Sequence, residues 1–140
     1  APDLLKPNSE ELAQLTGADA EQLEAAAKAG DPSAAVAASR SLVERGVAAV
    51  MGTLGASGAV LVTSEGSWHA SPPPSVPRST VGAGDASVAG YVLADCGGEA
   101  APDRLRTAVA YGSAAASMAG SALPRPEHLN IADVVITDLG

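Results

Sequence analysis

The segment with the clearest potential for chemistry is Gly82-Ala83-Gly84-Asp85, which precedes an apolar helical pattern. Three small residues at a helix start let consecutive backbone N–H groups point into one concavity, where the helix dipole attracts anions. In phosphoryl transfer, a carboxylate beside such an anion site accepts the proton of the attacking hydroxyl. The pattern therefore favours Asp85 as a base and residues 82–84 as an anion cradle. By itself it is equally compatible with a tight turn in which the aspartate caps a helix.

A second glycine-rich segment, Thr53-Leu54-Gly55-Ala56-Ser57-Gly58, separates two predicted strands. Its glycines permit positive φ angles and close backbone approach, and its two hydroxyl groups can contact a phosphate or a ribose. The absence of a following Gly-Lys-Ser or Gly-Lys-Thr excludes a Walker loop, and the following strand excludes a dinucleotide fingerprint. Taken alone, the segment favours an ordinary hairpin turn.

The third segment is Lys6-Pro7-Asn8-Ser9-Glu10-Glu11, near the start of the chain. Asn8 and Glu11 are three residues apart, so they fall on one side of a first helical turn and can hold a hydrated Mg²⁺ through water. Lys6 can contact a phosphate. On local grounds, a capped helix with solvated acidic side chains is the favoured interpretation.

The elements that must position these segments alternate between helix and strand. Helices are predicted from Ser9 to a stop at Gly17, from Asp31 and Pro32 to Gly46, over residues 86–94, and from Pro102 to Ala116. Strands are predicted over residues 47–51, 59–63, 67–70 and 134–136. This alternation predicts an α/β layer fold with a largely parallel sheet.

Charge and composition exclude several classes of partner. Sixteen acidic residues against eight basic ones give a net charge of −8, which removes the basic footprint of a nucleic-acid binder and disfavours anionic membranes. The single cysteine cannot form an internal disulfide, and no run of apolar residues suggests a membrane span, so a cytoplasmic protein is expected. The 140 residues are one domain's worth of chain.

Taken together and in this order, the three segments resemble the ribokinase-like (PfkB) family of sugar kinases. Residues 79–92 are similar to the family's C-terminal signature: a small polar residue, Thr, any residue, two small residues, Gly, Asp, three free positions, Ala-Gly and two apolar residues. Asn8 and Glu11 match the family's Asn-x-x-Glu motif, and residues 53–58 match its glycine-rich ATP loop. The resemblance runs from Lys6 to about Leu123 and implies a three-layer α/β/α fold with a mainly parallel sheet.

The resemblance also implies an activity and assigns residues to it. ATP donates its γ-phosphate to a hydroxymethyl group of a sugar or sugar phosphate, with Asp85 as base, residues 82–84 as anion hole, and Asn8 and Glu11 ordering Mg²⁺ through water. The residues that it assigns to ATP are Lys6, Asn8, Thr53, Leu54, Gly55, Ala56, Ser57, Gly58, Gly84, Val109 and Ser113. A K⁺ site built from Ser79, Val81, Ala115 and Gly120 is a further implication, although Ser79 replaces the Asp common in ribokinases.

Weaker sequence similarities bear on which molecule accepts the phosphoryl group. Lys6-Pro7-Asn8 and Ser-Thr-Val-Gly-Ala-Gly-Asp resemble the branch that acts on phosphorylated ketohexoses, with 1-phosphofructokinase favoured. A ribose or nucleoside kinase and a catalytically incomplete nucleotide-binding module are the alternatives.

Family members are longer, so residues 1–140 are expected to be one domain, the ATP-binding and catalytic C-terminal half, without the N-terminal lid and sugar site. Alone this half is expected to be inactive, and the full-length enzyme can be a homodimer. His69 is expected at the surface.

Overall fold

The computed structural model describes residues 3–54, 57–72, 83–117 and 131–140. They fall into two compact units, the first formed by residues 1–69 with 137–140 and the second by residues 70–136. In chain order the elements are α1 (Ser9–Thr16), α2 (Ala20–Lys28), α3 (Ser33–Glu44), β1 (Ala49–Thr53), β2 (Ala59–Thr63), β3 (Gly66–Ser71), α4 (Ala83–Cys96), α5 (Ala101–Ser117), a 3₁₀ turn (Ile131–Asp133) and β4 (Val135–Asp138).

The strands form one sheet in the order β1-β2-β3-β4. β1 and β2 are antiparallel, with Ala49 opposite Thr63 and Thr53 opposite Ala59. β2 and β3 are joined by a two-residue turn at 64–65, a connection that serves only antiparallel neighbours. The predicted α/β class is confirmed, but these strands are antiparallel where a mainly parallel sheet was expected. The reason is that the short connections leave no room for the crossover helices that parallel neighbours need.

A parallel pairing is present where the N-terminal segment runs beside β1. Leu5 pairs with Val50 and Asn8 pairs with Thr53, both in parallel. The Thr53 N–H donates to the Pro7 carbonyl at 2.9 Å. Helices α1 to α3 lie between the two segments in the chain, so they form the crossover that a parallel pairing requires.

In the first unit, α3 packs against β1 and β2, α1 packs against β1 and α3, and α2 packs against α1 and α3. α1 contributes Leu12, and α3 contributes Ala35, Ala38, Ser39 and Leu42, whose spacing places them on one side of the helix. Small residues on that side allow close approach to the sheet. A Cβ built on Gly52 of β1 would lie only 3.3 Å from Ser39 Oγ, so a larger residue at position 52 would crowd the helix.

The ends of these elements follow local signals in most cases. α1 begins at Ser9 and ends before Gly17, whose φ of +78° is the left-handed conformation that glycine adopts readily, as predicted. β2 has the predicted bounds. β1 begins two residues later than predicted, because the Val47 N–H donates to the Leu42 carbonyl at 3.3 Å and so continues the last turn of α3.

Residues 20–28 form α2, a helix that the apolar pattern does not predict. Asp19 caps it by accepting hydrogen bonds from the N–H groups of Glu21 at 2.9 Å and Gln22 at 3.3 Å. Leu23 is its buried residue. One buried leucine gives almost no apolar periodicity, so the aspartate ahead of an alanine-rich run is the signal that could have found this helix.

In the second unit, α4 and α5 pack closely against each other. A Cβ built on Gly90 of α4 would lie 2.7 Å from Tyr111 Cδ2 and 3.0 Å from the Thr107 carbonyl oxygen of α5. Ala86, Tyr111 and Ala115 form the apolar cluster between the helices. Gly90 is the glycine of the signature's Ala-Gly pair, and this contact explains physically why the position has no side chain.

Candidate active site

The N-terminus of α1 carries the predicted magnesium pair. Asn8 Oδ1 accepts a hydrogen bond from the Glu11 N–H at 2.8 Å, and Glu11 Oε1 accepts one from the Asn8 N–H at 3.2 Å. The two residues form a capping box in which both side chains are exposed. The capped helix that was favoured on local grounds is therefore observed. The same two hydrogen bonds hold the Asn8 and Glu11 side chains on one side of the first turn.

The end of β1 brings the glycine-rich segment to this helix end. Thr53 pairs with Asn8, and Thr53 Oγ1 donates to the carbonyl of the buried Pro7 at 3.4 Å. Lys6, on the other side of Pro7, is half-buried. Three residues that the resemblance assigns to ATP thus lie on two neighbouring segments of the first unit, Lys6 and Asn8 on one and Thr53 on the other.

The glycine-rich segment connects β1 to β2 as a hairpin. The Leu54 N–H donates to the Gly58 carbonyl at 2.8 Å, and the Ser57 N–H donates to the Leu54 carbonyl at 3.1 Å. Gly58 has a φ of +94°, which favours glycine at this position. Gly55 and Ala56 lie outside the described residues. The hairpin expected on local grounds is observed, and the assignment of this loop to ATP stays a prediction.

Sequence reasoning missed a contact between this hairpin and β3. His69 Nε2 lies 2.8 Å from the Ser57 carbonyl oxygen, and the His69 side chain is half-buried. A carbonyl oxygen only accepts hydrogen bonds, so the contact assigns the proton to Nε2. The sequence signal that could have indicated this contact is the short turn between β2 and β3, which predicts that β3 pairs beside β2.

The predicted base lies in the second unit. α4 begins at Ala83, so Gly84 and Asp85 belong to its first turn, and the predicted helix after the glycine segment is confirmed. Backbone N–H groups in a first turn have no acceptor within the helix and lie at its positive end. Gly82, Ser79 and Val81 lie outside the described residues. The role of Asp85 as a base stays a prediction.

Three further predicted residues, Val109, Ser113 and Ala115, lie on α5. Val109 and Ser113 are four residues apart and therefore on one face, Val109 being buried and Ser113 half-buried. Ala115 is buried against Ala86 and Tyr111. Gly120 lies outside the described residues, and the adenine and K⁺ assignments stay predictions.

Within the part of the chain that the structure describes, no three or more His, Cys, Asp or Glu side chains form a group that could hold a metal ion. A magnesium ion that keeps most of its water shell does not need such a group, since one or two protein oxygens and the substrate's phosphates suffice. In the same described part, no helix is long and apolar enough to cross a membrane.

Comparison with known proteins places the chain among sugar kinases. The family described as pfkB family carbohydrate kinase matches residues 1–128. The 1-phosphofructokinase of Rhodobacter capsulatus is 38% identical over 128 residues, which are 91% of this chain and 38% of that protein. The corresponding enzyme of Escherichia coli K12 is 37% identical over 117 residues, 84% of this chain and 35% of its own length.

A solved structure agrees with these relatives. Phosphofructokinase-2 from Escherichia coli, in complex with potassium, matches with a TM-score of 0.78 and 32% identity over 90% of this chain and 38% of its own. The chain thus spans less than two fifths of the length of each of these three proteins.

Proposed function

Because the chain belongs to the pfkB family of carbohydrate kinases, we propose that it is the ATP-binding and catalytic C-terminal portion of a sugar-phosphate kinase. The observation that carries the proposal is the pairing of Asn8 with Thr53, which sets the Asn-x-x-Glu motif beside the glycine-rich hairpin. Relatives named 1-phosphofructokinase support fructose 1-phosphate as the acceptor.

The charges at the start of α1 bear on how ATP binds. The helix N-terminus and Lys6 attract phosphate, but Glu10 and Glu11 in the first turn repel it, and the whole chain carries a net charge of −8. A Mg²⁺ ion resolves this conflict because it pairs with both the carboxylate and the polyphosphate. The capping bond engages Oε1 of Glu11, and the second carboxylate oxygen can accept from a metal-bound water.

The chemical step falls to the start of α4. Asp85 accepts the proton of the acceptor hydroxyl. At the same time the oxygen of that hydroxyl forms a bond to the γ-phosphorus, and the bond from the γ-phosphorus to the ADP oxygen breaks. Backbone N–H groups of residues 82–84 stabilise the charge on the transferred phosphoryl group. A K⁺ ion beside residues 79, 81, 115 and 120 would add positive charge near that group, which is supported by the potassium complex of the E. coli neighbour.

The proposal is tested with the protein as its gene encodes it, supplied with MgATP and, in parallel, fructose 1-phosphate, fructose 6-phosphate, ribose and a nucleoside. We expect the highest kcat/KM for fructose 1-phosphate. Residues 1–140 alone are expected to bind ATP without transferring its phosphate. A preference for ribose or a nucleoside would overturn the acceptor assignment, and ATP binding without transfer to any acceptor would overturn the kinase assignment.

A further inference from the structure

We propose that His69 is a positioning residue for the nucleotide-binding hairpin, acting through the main chain of Ser57. The inference rests on the proposed function, because it assumes that the turn between β1 and β2 contacts ATP. It adds a residue outside the three segments that the sequence singles out.

The hydrogen bond joins a side chain of β3 to the backbone of the preceding turn. His69 Nε2 and the Ser57 oxygen are 2.8 Å apart, a short distance for a nitrogen donor, and the contact is partly buried. The Ser57 carbonyl oxygen has no proton to give, so the imidazole nitrogen is the donor in this bond.

The bonded carbonyl belongs to the peptide that precedes a glycine. That peptide joins Ser57 to Gly58, and Gly58 has a φ of +94°. Glycine adopts positive and negative φ about equally well, so the peptide can rotate at little conformational cost. Because a peptide group is planar, fixing the Ser57 carbonyl also fixes the direction of the Gly58 N–H.

The two ends of the turn are held in different ways. On the β1 side, backbone bonds join Leu54 to both Ser57 and Gly58. On the β3 side, the described contact is the imidazole of His69. Removing the imidazole leaves the backbone bonds of the hairpin in place and frees the 57–58 peptide, so the loss should be seen in ligand affinity more than in folding.

Ser67 provides a matched control on the same strand. Its Oγ donates to the Gly140 carbonyl at 2.9 Å, so it also joins β3 to a distant backbone oxygen. It lies two residues before His69 and therefore on the same face of the strand. This bond ties β3 to Gly140 instead of the hairpin.

The experiment compares His69→Leu, His69→Gln and Ser67→Ala in the protein as its gene encodes it. His69→Leu is expected to raise KM for ATP about three- to tenfold, the loss of one hydrogen bond, with kcat and the acceptor KM nearly unchanged. It should also speed amide exchange at Gly58 in the absence of nucleotide. The side-chain amide in His69→Gln can donate to the same oxygen, so this variant should have the wild-type KM for ATP and the wild-type exchange rate at Gly58. Ser67→Ala should lower Tm and leave the KM for ATP and the exchange rate at Gly58 unchanged.

Either of two outcomes overturns the role of His69: an unchanged KM for ATP and unchanged exchange at Gly58 in His69→Leu, or an equal rise in KM in Ser67→Ala. Should His69→Leu not fold, His69→Asn, whose shorter amide cannot reach Ser57, replaces it. The exchange measurement needs no activity, so an exchange effect without any kinase activity refutes the proposed function alone. Kinase activity with neither an exchange effect nor a change in KM for ATP in His69→Leu refutes the role of His69 alone.

Discussion

Asn8 and Thr53 pair in parallel, although three helices separate them in the chain. The pairing aligns the first turn of α1 with the entrance of the hairpin that connects β1 to β2. A capping-box asparagine and a strand-end threonine are each ordinary by themselves. Their juxtaposition gives one side of the first unit both a fixed carboxylate and a glycine-containing turn.

Replacing the proposed base should separate chemistry from binding. Asp85→Asn keeps the size of the side chain but removes the proton acceptor, so kcat in the protein as its gene encodes it should fall about 10²- to 10⁴-fold with little change in KM for ATP. Asp95→Asn is the control, since Asp95 is on the same helix and its exposed carboxylate lies 3.9 Å from Arg104 in a weak surface pair. Near-normal turnover of Asp85→Asn would remove Asp85 from the mechanism.

Glu11 can be tested for a magnesium role apart from its capping role. Glu11→Gln keeps an oxygen that accepts from the Asn8 N–H but removes the negative charge. We expect an unchanged Tm and a several-fold higher Mg²⁺ concentration for half-maximal activity. Glu10→Gln, a neighbouring exposed acid outside the capping box, should leave the Mg²⁺ requirement at the wild-type value. Equal effects of the two substitutions would show that only the net charge of the helix start matters.

Gly90→Ala should destabilise the second unit. Alanine gains about 1 kcal/mol over glycine in a helix interior, but its methyl group would lie 2.7 Å from Tyr111 Cδ2 and 3.0 Å from a backbone oxygen. Overpacking of this kind costs about 1–3 kcal/mol and should outweigh the gain. The midpoint of urea unfolding measures the difference. At Gly97 an added Cβ meets nothing closer than 3.5 Å, so Gly97→Ala should leave the midpoint nearly unchanged, and a stabilised Gly90→Ala would contradict the packing.

The start of α3 should lose stability in acid. Hydrogen bonds from the side chain and then the backbone N–H of Ser33, the latter at 3.0 Å, lower the pKa of Asp31 below its ordinary value of 3.8. A lowered folded-state pKa stabilises the fold above the unfolded-state value, and the contribution disappears as the pH falls through the folded-state pKa. Asp31→Ala should therefore have a lower urea midpoint than the wild type at neutral pH, and the difference between the two midpoints should shrink in acid. A difference in midpoint that does not change with pH would contradict this.

Part of this architecture follows from signals within a few residues. Asparagine, serine and a glycine stop mark α1, a compact β-branched run marks β2, and small residues before an apolar pattern mark the start of α4. Helix caps and tight turns are made between residues at most four apart, so their residue types alone indicate them. The family resemblance depends on the same local patterns, and the match to residues 1–128 confirms it.

The tertiary structure alone decided which segments meet. The antiparallel order of β1, β2 and β3, the pairing of Asn8 with Thr53, and the bond from His69 to Ser57 depend on strand register and on side-chain reach. Residue types do not encode these directly, since a strand can pair in either direction with the same apolar pattern. Likewise, the sequence shows a glycine at position 90, but only the close packing of α5 explains why there is no room for a side chain there.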